Sequence, residues 1–273
     1  MRLPRLIAAS VRDFGLLDTL DRLPPLLFSP LTSTRLRRRV SVRLSRDGFD
    51  AAHGTDTDGV LFAGEGGPDV TGGGHVVSRY ETCSEAAIRL ALDSLPADPA
   101  RFTFVDLGCG KGKPLLVAAT YPFRRLVGVD ISPACVAAAQ RNLARHRPPL
   151  PDPSRVELVV GDAEDFTFPD EPLVLYLFNP FPRAVFEAVV ARLEASLRRR
   201  PRAVAVVYLN PMWGGRLLRS PLFRRLPTIA DRLPAAAAGL LPHERAALFV
   251  TPELAAPAPS PAARWPRPFC RDP

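Results

Sequence analysis

Lysine is almost missing from this sequence: Lys111 and Lys113 are the only two among 36 basic residues, the rest being arginine. The bias runs through the whole chain, so its net charge of +8 is first of all compositional. Arginine clusters lie at 35–46, 141–147 and 198–202, with forks that suit phosphates and carboxylates. Aromatic residues are scarce, at 8%, and do not interleave with those clusters as base stacking would require. A nucleic acid partner is therefore not favoured. Cysteine is scarce as well: Cys83, Cys109, Cys135 and Cys270 form no C-x-x-C pair, which indicates neither a zinc site nor a secreted disulfide framework. A reducing, cytoplasmic setting is expected. The four histidines are scattered, so no metal is expected, and His53 and His75 fall in a Gly-rich stretch as exposed loop residues. No apolar run reaches membrane-spanning length, and Arg12, Asp13 and Asp18 interrupt the start before a signal-peptide core could form. No membrane association is expected.

Apolar residues are plentiful, 47% of 273, enough for one sizeable α/β core. Residues 11–28 carry spaced apolar positions suited to one or two short helices. Residues 45–79 are rich in Gly and Asp without a sustained period, which predicts a long loop, a lid over a substrate site or a disordered segment. A helical pattern occupies 80–95, and then the chain alternates. "FTFVDL" (102–107), "RLVGVD" (125–130), "RVELVV" (155–160), "LVLYLF" (173–178) and "AVAVVYL" (203–209) read as buried strands, with helical patterns at 114–120, 133–145 and 182–198. "TIADRL" (228–233) and "AALFVT" (246–251) are expected to close the sheet. The prediction is an α/β fold: a doubly wound, mostly parallel, seven-stranded sheet of Rossmann-like form. It divides into a helical and loop extension (1–79), a ligand-binding domain (80–251) and a Pro/Ala-rich tail (252–273), disordered or extended.

In such a sheet ligands bind beyond the carboxyl ends of the strands. The first strand-to-helix turn reads Asp106-Leu107-Gly108-Cys109-Gly110-Lys111-Gly112. A phosphate loop needs a glycine five residues before its Gly-Lys pair and a hydroxyl residue after it. Val105 or Leu107 stands upstream here and Gly112 or Pro114 downstream, so that reading fails. The dinucleotide fingerprint wants its third glycine where Lys113 stands. Asp106 adds an electrostatic argument: a carboxylate at the strand end repels a pyrophosphate and attracts a cation. This weighs against a nucleotide-dependent oxidoreductase on the same fold.

The D-x-G-x-G-x-G turn resembles that of class I S-adenosylmethionine-dependent methyltransferases, over roughly residues 80–210. The resemblance implies S-adenosylmethionine as cofactor, bound by Asp106, Gly108, Gly110 and Gly112. It also implies Asp130 with Ile131 at the ribose hydroxyls, and Asp162 with the Ala163 N–H at the adenine. Asn179-Pro180-Phe181, at the end of the fourth strand, is similar to the turn of amino-directed members. There the Asn oxygen and a backbone carbonyl accept from the target N–H groups and the aromatic ring packs on the substrate. Catalysis is thereby assigned to Asn179, Pro180 and Phe181, with Asn179 also beside the cofactor. "YETCSEAAIRLAL" with "FTFVDLGCGKGK" and "LFNPF" is further similar to Dot1-type lysine methyltransferases and their bacterial relatives. That implies Tyr80, Glu81 and Thr82 as a segment closing over the cofactor. The expected function is methyl transfer to a nitrogen of a protein, peptide or small-molecule acceptor. The alternatives are transfer to oxygen or carbon of a secondary metabolite, or a protein that binds the cofactor without catalysis.

Overall fold

The apolar runs pair side by side as parallel strands: β1 (Thr103–Leu107), β2 (Arg125–Asp130), β3 (Val156–Val160), β4 (Leu173–Phe178) and β5 (Val204–Leu209). The structure, a computed structural model, describes residues 47–58, 61–62, 71–72, 75–76, 79–80, 82–232 and 244–255. Two further strands, β6 (Arg224–Leu226) and β7 (Ala246–Val250), complete a seven-stranded sheet in the order β6-β7-β5-β4-β1-β2-β3. β7 runs antiparallel to both β5 and β6, and every other pair is parallel.

Helices cover both faces, which is why β1 and β5 are buried along their whole length. They are α1 (Phe49–His53), α2 (Glu85–Leu92), α3 (Lys113–Ala118), α4 (Pro133–Arg145) and α5 (Arg183–Arg199), with short α6 (Gly215–Leu218) and α7 (Pro252–Ala255). Strand alternation sorts the core into two layers. Phe104, Val174, Tyr176 and Val207 pack with Ile88 and Leu92 of α2 and Leu115 and Leu116 of α3. Val105, Leu107, Leu175 and Tyr208 pack on the other face with Phe186, Val189 and Leu193 of α5. Ser84 opens α2 and Ser132 opens α4, each side chain accepting from the N–H three residues on.

Three expectations change. Residues 228–232, the described part of the run expected as a strand, are not one: Thr228 and Asp231 cap each other reciprocally, Thr228 N to Asp231 Oδ2 at 2.8 Å and Asp231 N to Thr228 Oγ1 at 3.2 Å, around a single 3₁₀ turn. The strand that closes the sheet is Arg224–Leu226. The tail does not begin extended, since Pro252–Ala255 makes a helical turn. Within 45–79, residues 47–58 are built and packed, and two-residue antiparallel pairs join Leu61–Phe62 to Arg79–Tyr80 and Thr71–Gly72 to His75–Val76. The helices expected in 11–28, the arginine cluster at 35–46, Glu81 and the tail beyond 255 lie outside the described residues.

Candidate active site

The chain leaves β1 and turns through Gly108, Gly110 and Gly112, all at positive φ (83°, 52° and 86°), conformations that a side chain would strain. The next strand pins this turn. Gly108 N and Cys109 N both donate to Val129 O, at 2.8 and 3.0 Å, and Gly110 N donates to Asp130 Oδ2 at 2.8 Å. Asp130 Oδ1 accepts from Ser132 N at 2.8 Å. Asp130 therefore braces the turn, and each of its oxygens keeps a lone pair for another donor, as a vicinal diol would supply. Burial raises its carboxyl pKa against the pull of those two N–H groups. Ile131 follows, half-buried at the same strand end.

Asp106 lies one residue before the end of β1 and is 2% exposed. Its Oδ2 is enclosed by protein and accepts no hydrogen bond. Burial, and then the charge of Asp130, push this carboxyl well above the usual carboxylate range. Tyr176 is its register partner in β4, with its OH 3.2 Å from Cys83 Sγ. Burial pushes the Cys83 thiol up to about 12, so it is no nucleophile. An orphaned acid oxygen beside a glycine turn fits a ligand carrying an ammonium group, which would supply the missing partner.

The third acid is placed differently. Asp162 follows β3 and spends Oδ1 on Glu164 N at 2.9 Å, while Ala163 is buried among the apolar side chains of the α5 face. Thr82 is buried just ahead of α2, and the backbone of Tyr80 pairs with Leu61.

β4 ends in Asn179, whose φ of 42° turns the chain back over the glycine turn. The two turns touch: a Cβ on Gly108 would fall 2.5 Å from Pro180 Cβ and 3.8 Å from Phe181 Cε1. Sequence positions 106–112 and 179–181 are thus brought into one corner. Tyr208 OH donates to Asn179 Oδ1 at 3.0 Å, and Trp213 Nε1 donates to Phe181 O at 3.3 Å. Neither contact was expected, since Tyr208 reads as a core residue of a buried strand.

Sequence reasoning also missed the 47–58 segment, which straps the back of the glycine turn. Both lysines of the chain hold it. Lys113, 0% exposed, donates from Nζ to Asp47 Oδ1 at 2.8 Å and Asp58 Oδ1 at 3.3 Å, with the ammonium 5.0 Å from the Phe49 ring centre. Lys111 Nζ donates to Asp56 Oδ1 at 3.0 Å and Asp58 O at 3.1 Å. Asn142 of α4 donates to Asp56 O and Lys111 O and accepts from Asp56 N. His53 is not a bare loop residue, because its ring stacks on His146 at 4.5 Å. The signal lay in the composition: two lysines kept in the turn of an otherwise arginine chain, with an Asp-rich stretch upstream to receive them.

A recess of about 450 Å³ opens at the opposite edge of the sheet, lined by Arg124, Arg125, Arg155, Glu157 and Glu171 among others. Arg125 pairs with Glu157 and Arg155 with Asp152, so much of its charge is compensated within the protein. The carboxyl edge remains the candidate site. Among the described residues no helix is long and apolar enough to cross a membrane, and no group of three or more His, Cys, Asp or Glu side chains could hold a metal ion.

Residues 104–200 match the family described as methyltransferase domain. No curated protein matches the chain. Among solved structures, the 23S rRNA methyltransferase ErmE is similar at 16% identity, covering 62% of this chain and 68% of its own, with a TM-score of 0.40. The ribosomal protein L11 methylase of Lactobacillus delbrueckii subsp. bulgaricus is similar at 15% identity, covering 61% and 76%, with a TM-score of 0.40. CalS10 from Micromonospora echinaspora, an amino pentose methyltransferase, is similar at 26% identity over 46% of this chain and 50% of its own, with a TM-score of 0.34. The three are named for three different acceptors, and likeness of this extent carries none of them over. With the strand order and the glycine turn in place, the match assigns residues 104–200 to an S-adenosylmethionine-dependent methyltransferase domain.

Proposed function

We propose that this domain transfers a methyl group to a nitrogen of its acceptor, at the corner where Asn179-Pro180-Phe181 meets Gly108. The observation that supports this reading most is that contact itself, because it puts an N–H-accepting turn against the turn assigned to the cofactor. S-adenosylmethionine supplies an electrophilic methyl on a sulfonium. The residues assigned to hold it are Asp106 at its ammonium, Gly108, Gly110 and Gly112 along its backbone-facing side, Asp130 with Ile131 at the ribose, and Asp162 with Ala163 at the adenine. Tyr80 and Thr82 are assigned to the wall over its amino-acid end.

An amine attacks through its lone pair, so it must arrive neutral and aligned. Asn179 Oδ1 is an acceptor for one N–H, which orients the lone pair, and Phe181 packs on the acceptor. Asn179 cannot take the proton that the methylated product sheds, and that proton leaves to solvent. The acceptor proposed is a protein or peptide amine or a small-molecule amine. Attack by oxygen or carbon would make no use of the Asn179 oxygen as an N–H acceptor. The division proposed is an extension ahead of residue 80 that contributes to the site, the methyltransferase domain at 80–251 and the tail at 252–273.

Calorimetric titration with S-adenosylmethionine and S-adenosylhomocysteine tests the cofactor assignment, with Asp130→Ala alongside. Loss of binding in the variant is expected, and undiminished binding would remove Asp130 from the site. A labelled-methyl screen over peptide and small amines then tests the transfer. A methyl transfer that survives Asn179→Ala undiminished would overturn the nitrogen assignment, and a domain that binds the cofactor yet labels no acceptor of any class would favour a purely binding role.

A further inference from the structure

We infer that Tyr208 is a positioning residue for methyl transfer, acting through Asn179, and that β5 with its exit turn is the clamp that holds the acceptor corner. The inference rests on the assignment of Asn179 made above. β4 and β5 are neighbours in the sheet and end alike: Asn179-Pro180 and Asn210-Pro211, with both asparagines left-handed at φ 42° and 48°. The second corner reaches across to the first at two points. Tyr208 OH donates to the Asn179 carboxamide oxygen, and the Trp213 indole donates to the carbonyl of Phe181, on the far side of Pro180. The second corner is itself tied down, since Asn210 N donates to Arg245 O at 2.9 Å at the start of β7.

Tyr208 is 0% exposed and its ring stacks on Phe186 of α5 at 5.0 Å. It is enclosed within the α5-side core, and what it controls is the carboxamide torsion of Asn179. A side chain at a strand exit, half-exposed as Asn179 is, would otherwise sample several χ2 settings. A phenol donating to Oδ1 removes that freedom, leaves one lone pair for an N–H, and polarises the oxygen that accepts it.

The test needs no knowledge of the acceptor. Sinefungin is a cofactor analogue in which the methyl-bearing sulfonium is replaced by a carbon carrying a primary ammonium. Its extra N–H groups probe the acceptor corner, whereas S-adenosylhomocysteine, which lacks them, reads the cofactor site alone. Calorimetry gives the ratio of the two affinities in wild type, Asn179→Ala, Tyr208→Phe and the double variant. Asn179→Ala is expected to lower sinefungin affinity about tenfold more than S-adenosylhomocysteine affinity, and Tyr208→Phe about three- to tenfold more. The double variant is expected to match Asn179→Ala, because the effect of Tyr208 on the ratio passes through the carboxamide. A Tyr208→Phe ratio equal to wild type, losses that fall equally on both ligands, or an additive double variant each overturns the inference while leaving Asn179 in place. A ratio unmoved by Asn179→Ala removes the assignment of Asn179 and this inference with it. Should Tyr208→Phe fail to fold, Trp213→Phe carries the same comparison: a ratio lowered about threefold supports the clamp, and an unchanged one overturns it.

Discussion

Asp106, proposed above to meet the cofactor's ammonium, sits without a partner in the protein itself. Its carboxyl is buried with an unpartnered oxygen and its pKa is raised, by burial first and by Asp130 second. A carboxyl whose pKa is higher folded than unfolded contributes stability that is complete below the unfolded value of 3.8 and is lost as pH rises through the folded one. At neutral pH the ligand-free protein is therefore less stable than it would be with a neutral, hydrogen-bonding side chain in that place. Asp106→Asn should raise the thermal midpoint of the ligand-free protein, more at pH 8 than at pH 5, and weaken cofactor binding by at least about tenfold. At a pH below the raised pKa of Asp106, wild-type binding should release a proton as the cation draws Asp106 into its charged form. Calorimetry in buffers of differing ionisation heat measures that release, and Asp106→Asn should abolish it. Gly108 makes the complementary case in sterics. An alanine there meets Pro180 Cβ at 2.5 Å at a φ of 83°, so Gly108→Ala should separate the two turns and cost about 2–4 kcal/mol, read by urea unfolding.

The 47–58 strap shows what an element can owe to side chains rather than to periodicity. Asp50 gathers Thr55, Thr57 and Asp58 as donors, and Lys113 closes the segment onto α3 from a position with no exposure. Burial alone would raise the Asp47 carboxyl, but the Lys113 ammonium and the Glu85 N–H hold it below its usual value. Lys113→Met keeps the bulk of the side chain and leaves two acids without their cation, so a loss of about 3–5 kcal/mol is expected by urea unfolding. Burial also holds the His146 imidazole, stacked on His53, below its ordinary 6.5. A base with a lowered folded pKa contributes stability that is present above 6.5 and lost as pH falls through the folded value. Stability should therefore decline on acidification from about 6.5, and His146→Gln should flatten that slope. These contacts explain what the sequence could and could not disclose. β2 and α4 were legible to the residue, because an uninterrupted apolar run and a Ser-Pro opening leave few alternatives. The strap was not, because its order comes from Asp50 and from lysines more than fifty positions away. The glycine turn and Asn179 were legible because their residue types are demanded by backbone shape. Tyr208 was not, since its hydrogen bond is invisible in a strand that would be apolar anyway.

At the scale of the molecule, the sheet makes these parts one unit. The strand order reverses between β1 and β4, and in a doubly wound sheet the crevice at such a reversal is where ligands sit. Asp106, Asp130, Asp162 and Asn179 come from the carboxyl ends of β1, β2, β3 and β4, and the clamp comes from β5. The antiparallel return of β7 closes the circuit, because Glu244 just ahead of it accepts from Ser84 N at 2.6 Å at the start of α2. α2 in turn is capped from the strap, where Asp47 Oδ2 accepts from Glu85 N at 2.6 Å. A ligand held in that crevice touches groups that every layer supports, so its binding energy should stabilise the whole domain rather than one lobe. S-adenosylhomocysteine at a hundred times its dissociation constant should add about 2.7 kcal/mol. For a domain of this size that corresponds to a midpoint raised by about 5–10 °C. Calorimetric scanning should show a single transition that moves as a whole, with no earlier component left behind by the ligand. A low-temperature component insensitive to the ligand would mean that the strap or the clamp unfolds apart from the cofactor turn, and that the contacts joining them are too weak to make one cooperative unit.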